Sequence, residues 1–168
     1  ALFWLGDFQA GNRVLIHAGA SGVGTAAIQL AKERAAELIA TTSSGGKTEA
    51  CVTLGADVAI DYETQDFAEE IRRATGGGGV NLIIDFIGAS YWEQNVESLA
   101  LDGRVLLLAM LGGSTIDQFS LSDLFQNTAA ALRGGRTDAQ SVQAVLEERA
   151  ETRRSELVEL LGSLPRTL

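Results

Sequence analysis

Hydrophobic residues along this chain recur with two different periods, and each change of period marks the border of an element. Arg13-Val14-Leu15-Ile16-His17-Ala18 is a short, β-branched and apolar run of the kind that fills a strand buried on both faces. Glycines follow it, and then Val23, Ala27, Leu30 and Ala31 recur at helical spacing to about Arg34. The same alternation returns further on. Residues 38–42 predict a second strand, residues 47–54 a second helix with Gly55 as its terminator, and residues 57–60 a short third strand.

Phe67, Ile71 and Ala74 mark another amphipathic helix, beginning near Thr64 and ending before Gly76-Gly77-Gly78-Gly79, a run suited to a flexible loop rather than a phosphate cradle. Residues 80–86 form a fourth apolar strand. Ser90-Tyr91-Trp92-Glu93 has the spacing of a capping box that opens the next helix, and Asp102-Gly103 turns the chain into a fifth strand at residues 105–110. A short helix at residues 121–125 and a sixth strand at 128–132 follow. Val142, Val145 and Leu146, then Leu157, Leu160 and Leu161, favour helix on either side of a charged stretch, 147–156, that reads as a solvated face. Strands alternating with helices at this spacing imply βαβ crossovers and therefore a doubly wound α/β fold, a mostly parallel sheet with helices on both faces.

Composition narrows the partners. The 168 residues suit one domain, and 46% apolar with 21% charged residues is an ordinary globular balance. A net charge of −9 opposes a polyphosphate, whose binding rests on Lys and Arg, so no nucleic-acid partner is expected. No apolar run approaches the roughly 18 to 20 residues that span a bilayer, and the start lacks the basic residues and cleavage site of a signal peptide. The expectation is a soluble, cytoplasmic protein with no membrane partner. The chain opens on Ala1 and an apolar segment, residues 2–5, without methionine, which reads as a piece of something longer.

One cysteine, Cys51, cannot make an internal disulfide, and with one histidine, His17, an ordinary His/Cys zinc site is out of reach, so no metal is expected. Cys51 falls in a predicted helix and reads as a small core residue rather than a nucleophile. His17 sits near the end of an apolar strand and reads as a satisfied structural group rather than a catalyst.

The chemistry-bearing segment is His17-Ala18-Gly19-Ala20-Ser21-Gly22-Val23-Gly24, with glycines spaced G-x-x-G-x-G between the first strand and the first helix. A strand-to-helix turn without side chains lets the backbone approach a pyrophosphate, and the free N–H groups and dipole at the helix start favour negative charge. Turns and tight packing also use glycine, but the flanking strand and helix favour cofactor binding. About 20 residues on, where an acid would hold the ribose hydroxyl of NAD, stand Thr41-Thr42-Ser43-Ser44-Gly45-Gly46-Lys47. Hydroxyls and an ammonium suit the extra phosphate of NADP, although Ser and Thr there also serve to cap a helix. Tyr62, after the third strand, is placed either to reach that phosphate or to sit in an exposed loop.

The run Gln9-Ala10-Gly11, Val14 to Gly19 and Ser21 to Leu30, with Gly88-Ala89-Ser90-Tyr91-Trp92-Glu93 and Leu99-Ala100-Leu101-Asp102-Gly103-Arg104, resembles the zeta-crystallin-like quinone oxidoreductases. These are zinc-free members of the medium-chain dehydrogenase/reductase family, and the likeness is strongest to their stress-inducible subgroup and covers about residues 1–133. The resemblance implies that Ser21, Gly22 and Val23, with Gly24 of the same loop, contact the pyrophosphate, and that Ser44, Lys47 and Tyr62 surround the adenosine 2′-phosphate of NADPH. It implies that Ile87, Gly88, Met110 and Leu111 approach the nicotinamide.

It further implies a Rossmann-type NADP-binding domain at 1–136, with 137–168 a helical and divergent segment of the same domain. The family's GroES-like substrate domain is absent from the sequence, and Ala109 stands where the family usually has glycine. The activity implied is transfer of reducing equivalents from NADPH to a quinone, with a homodimer formed through the sheet edge at 128–132. No residue presents itself as an acid, base or nucleophile, so the catalytic residues are unknown. An enoyl reductase of the same family, or a non-catalytic module that binds NADPH or dimerises, are the alternatives.

Overall fold

The structure is a computed structural model that describes Leu2 and residues 5–116. Along the chain it runs β1 (Arg13–Ile16), α1 (Gly22–Glu33), β2 (Leu38–Ser43), α2 (Thr48–Leu54), β3 (Val58–Asp61), α3 (Phe67–Ala74), β4 (Val80–Asp85), α4 (Trp92–Ser98) and β5 (Leu99–Leu107). The five strands lie in the order β3-β2-β1-β4-β5 and every neighbouring pair is parallel. The α/β, doubly wound expectation therefore holds, in the strand order of a Rossmann-type sheet.

Alternation along β1 shows why helices must cover both faces. Val14 and Ile16 point to one side, where they pack with Ala27, Ile28 and Ala31 of α1 and Cys51 of α2. Leu15 points to the other, against Ala40, Ile60 and Ile83 and the side chains of Phe67 and Ile71 from α3. Each such large side chain, removed from water, contributes about 1.5–3 kcal/mol. Leu2 and Phe8, ahead of β1, fill the first of these layers.

Local signals set the helix ends. Ser21 caps α1 by accepting from the Gly24 N–H, Asp66 caps α3 by accepting from Ala68 and Glu69, and Gly55, at φ +117°, ends α2 in the left-handed conformation. In α3 the acids Glu69 and Glu70 stand in the first turn and Arg72 and Arg73 in the last, in line with the helix dipole.

Several expectations need correcting. Val23 and Leu30 lie on the exposed side of α1, and the buried stripe is Gly24, Ala27, Ile28 and Ala31, one position further round. Ser90-Tyr91-Trp92-Glu93 makes no capping box: residues 89–91 form a turn of 3-10 helix, and α4 starts at Trp92 without a side-chain cap. The second helix likewise begins at Thr48 after a 3-10 turn, Gly45–Lys47.

Asp102-Gly103 does not precede the fifth strand but lies inside it. Val80 pairs with Leu99 while Leu82 pairs with Arg104, so the extra residues of β5 bulge out, and the strand ends at Leu107 rather than Met110. The helix at 121–125, the edge strand at 128–132 and the helical segment from 142 onward lie outside the described residues. Among those described, no helix is long and apolar enough to cross a membrane.

Candidate functional site

The carboxyl ends of parallel strands all open onto one edge of the sheet, which is where ligands bind in open α/β folds. β1 delivers the glycine loop to that edge. Ala18 takes up φ +50°, uncommon for a residue with a side chain, and is held by two bonds: Ser21 N–H donates to its carbonyl at 2.8 Å, and Gly19 N–H donates to the Thr42 carbonyl at 2.9 Å. Ser21 then sits at the mouth of α1 with its Oγ accepting from Gly24 N at 3.0 Å. That bond satisfies the third N–H of the helix. The N–H groups of Gly22 and Val23, in the first turn, have no acceptor within the helix, and a Cβ placed on Gly22 would meet open space. A twelve-residue helix thus presents two donors and its positive end to an unobstructed surface, which fits a pyrophosphate. Ser21→Ala should destabilise the chain by about 1 kcal/mol through the lost cap, read as a lowered midpoint in thermal melting.

Ser44 and Lys47 follow the end of β2, and Tyr62 follows the end of β3, the strand paired beside it. The Lys47 N–H donates to the Ser44 carbonyl at 2.9 Å, and the Tyr62 N–H donates to the Ser43 carbonyl at 3.2 Å, which ties the end of β3 to the end of β2. Lys47 and Tyr62 are exposed.

Sequence reasoning missed Asp61. No acid follows β2 in the chain, but the parallel register sets Asp61 of β3 opposite Ser43, and a Cβ on Gly45 would lie 2.6 Å from its Oδ2. The signal was available only through strand pairing. Its carboxylate is turned onto its own loop, accepting from the Glu63 N–H at 3.1 Å and the Thr64 hydroxyl at 3.0 Å.

On the far side of the loop, β4 and β5 leave the sheet together. Leu108 N–H donates to the Asp85 carbonyl at 2.7 Å, Leu111 N–H to Phe86 at 3.1 Å and Gly112 N–H to Ile87 at 2.7 Å. Ile87, Gly88, Met110 and Leu111 are thereby gathered into one group, with Met110 and Leu111 exposed despite their apolar side chains.

Behind these loops the sheet edge is polar and buried. His17, Thr42, Asp85 and Asn95 are all buried. Burial pushes the His17 imidazole below its ordinary value, more than the Asn95 hydrogen bond and the charge of Asp85 push it up. Phe67 and Tyr91 stand edge-on to the ring with centroids at 4.9 Å. The phenol of Tyr91 is raised by burial first, then by Tyr62 and Asp85. The Cys51 thiol is likewise pushed up by burial, against a hydrogen bond with Ser43, which makes it a core group with little thiolate character.

Residues 22–151 match the family described as zinc-binding dehydrogenases. Among curated relatives, the chain is 32% identical over 123 residues to a mouse quinone oxidoreductase-like protein 2, covering 73% of this chain and 35% of that protein. It is 40% identical over 91 residues to a Burkholderia 2-haloacrylate reductase, covering 54% and 27%. It therefore spans about a third or less of these relatives. Among solved structures, an Escherichia coli quinone oxidoreductase complexed with NADPH superposes with a TM-score of 0.68 at 27% identity, over 76% of this chain and 39% of that one.

The described residues offer the zinc of the family's description no grouped set of donors. Among the described residues no three His, Cys, Asp or Glu side chains are grouped to hold a metal ion, both ring nitrogens of His17 are engaged within the fold, and Cys51 is enclosed in the core. Matching this family across most of its length, and folding like an oxidoreductase that resembles it in sequence, the chain belongs to the zinc-binding dehydrogenase family.

Proposed function

We propose that this chain is the NADPH-binding part of an oxidoreductase that passes reducing equivalents from NADPH to a quinone. The observation that carries the reading is the layout of three residue groups across the sheet. Ser44, Lys47 and Tyr62 stand at the exits of β2 and β3, the Ser21–Gly24 loop at the exit of β1, and Ile87, Gly88, Met110 and Leu111 at the exits of β4 and β5. Read across β3-β2-β1-β4-β5, these are a cationic and hydroxyl cluster, an anion-binding helix start and an apolar platform. They follow the order of the adenosine phosphate, pyrophosphate and nicotinamide in the dinucleotide.

NADPH, when bound, supplies the reducing equivalents. The chain's own part is binding and orientation: Lys47 offers charge to the 2′-phosphate, the Gly22 and Val23 N–H groups meet the pyrophosphate, and Ile87, Gly88, Met110 and Leu111 shield the reactive ring from water. The quinone as acceptor is supported by the mouse and E. coli relatives and by the sequence resemblance. The Burkholderia relative favours a second reading, reduction of an activated double bond like that of a 2-haloacrylate.

Calorimetric titration tests the coenzyme assignment. NADPH should bind the 168-residue chain more tightly than NADH, and Lys47→Ala should weaken NADPH about tenfold, or about 1.4 kcal/mol, while leaving NADH unchanged. Equal affinity for both cofactors in the parent chain would remove the phosphate-site assignment. Turnover of a quinone against a 2-haloacrylate by a longer protein that includes this chain separates the two acceptor readings.

A further inference from the structure

Four buried polar side chains, drawn from the turn after β1 and from β2, β4 and α4, form one hydrogen-bonded line beneath the coenzyme edge. The Asp85 carboxylate accepts from the Ile87 N–H at 2.6 Å, from the Gly88 N–H at 3.2 Å to each oxygen, and from Asn95 Nδ2 at 3.0 Å. With its amide nitrogen facing Asp85, Asn95 turns its carbonyl oxygen to His17 Nε2 at 2.6 Å. A carbonyl only accepts, so Nε2 carries the proton. In a neutral ring Nδ1 then accepts from the Thr42 hydroxyl at 3.0 Å.

Every bond points the same way, towards the carboxylate. One end of the line fixes the turn after β4 that carries Ile87 and Gly88. At the other end Thr42, through its carbonyl, holds the Gly19 N–H of the glycine loop, and the His17 N–H donates to Ile84 of β4 at 3.0 Å. A hydrogen-bonded polar network in a buried layer specifies one arrangement of the elements it joins.

We propose that Asn95 is a positioning residue for the coenzyme. Through His17 and Asp85 it locks the glycine loop and the Ile87–Gly88 turn in one relative placement, so that the pyrophosphate and nicotinamide ends are seated together. This rests on the coenzyme reading above. It predicts a ligand-dependent penalty: a molecule that reaches only the adenosine end does not sense the lock, whereas one that spans both ends does.

The test compares NADPH with adenosine 2′,5′-bisphosphate in calorimetric titrations of the parent chain and Asn95→Ala. The expected result is about tenfold weaker NADPH binding by the variant with bisphosphate affinity unchanged within about twofold. His17 is the one histidine of the chain, so its ring nitrogens give unambiguous signals in ¹⁵N NMR. They should report the neutral Nε2–H tautomer, and should shift on saturation with NADPH but not with the bisphosphate.

Equal losses for both ligands, or no loss for either, would overturn the positioning role while leaving the coenzyme site standing. A parent chain that binds neither ligand would remove the coenzyme reading and the proposal with it. Should Asn95→Ala fail to fold, Thr42→Val, which deletes only the terminal hydroxyl of the line, carries the same comparison.

Discussion

Gly24→Ala should lower the stability of the chain by about 3 kcal/mol and abolish NADPH binding in the titration that detects it in the parent chain. The added Cβ would run into the carbonyl oxygen of Ala18 and stand 2.7 Å from the Gly19 Cα and 2.8 Å from the Gly19 oxygen. All three are backbone atoms, and Ala18 is already in the left-handed region, so the loop has little freedom to give way. Relief requires the start of α1 to swing off the sheet, which carries the Gly22 and Val23 N–H groups away from the ligand. Gly19→Ala is a useful contrast, because its Cβ would meet Thr41 side-chain atoms, the Cβ at 2.9 Å among them. There, a second substitution, Thr41→Gly, should recover part of the loss, whereas no side-chain change recovers Gly24→Ala. A Gly24→Ala chain that melts within about 1 kcal/mol of the parent and still binds NADPH would show that the helix start is not pinned by this approach.

The same loop shows why some of this molecule is legible in its sequence. A strand, a glycine turn and a helix start depend on residues a few positions apart, so β1, the Ser21 cap and α1 follow from local spacing. Gly55 and the strand cores follow for the same reason. The faces are harder: Leu30 and Val23 fit the helical period but lie outward, because the orientation of the helix is chosen by small residues, Gly24, Ala27 and Ala31, that let α1 approach the sheet closely.

Pairing is not written locally at all. Asp61 enters the candidate phosphate site only because β3 lies beside β2, and the bulge in β5 exists only in register with β4. His17 met the expectation of a satisfied structural group, yet its partners come from 25 and 78 residues away, on β2 and α4. No spacing rule connects those positions. What the sequence leaves blank is therefore what tertiary contact decides: which carboxylate faces which loop, and which buried groups answer one another.

Acidification below about pH 6.5 should destabilise the chain, and His17 should account for the onset. Buried and desolvated, the imidazole has a folded-state pKa below the ordinary 6.5, while in the unfolded chain it titrates near that value. Between the two, the unfolded chain binds the extra proton and the folded chain refuses it. The contribution of the neutral ring is thus complete above about pH 6.5 and is lost as pH falls towards the folded value, by about 1.4 kcal/mol for each unit of pH. The charge of Asp85 favours protonation of the ring but is already engaged with three donors, and Phe67 and Tyr91 keep solvent from it, so the desolvation cost prevails.

Urea denaturation at about pH 7.5 and about pH 5.5 measures the difference. His17→Gln provides the control, since an amide has no proton to gain and its curve should fall less over that interval. Parent and variant curves that fall in parallel would mean that the folded ring accepts the proton as readily as the unfolded one. The closed environment formed by Phe67, Tyr91 and Asn95 would then have to open to water at the coenzyme edge in the native state.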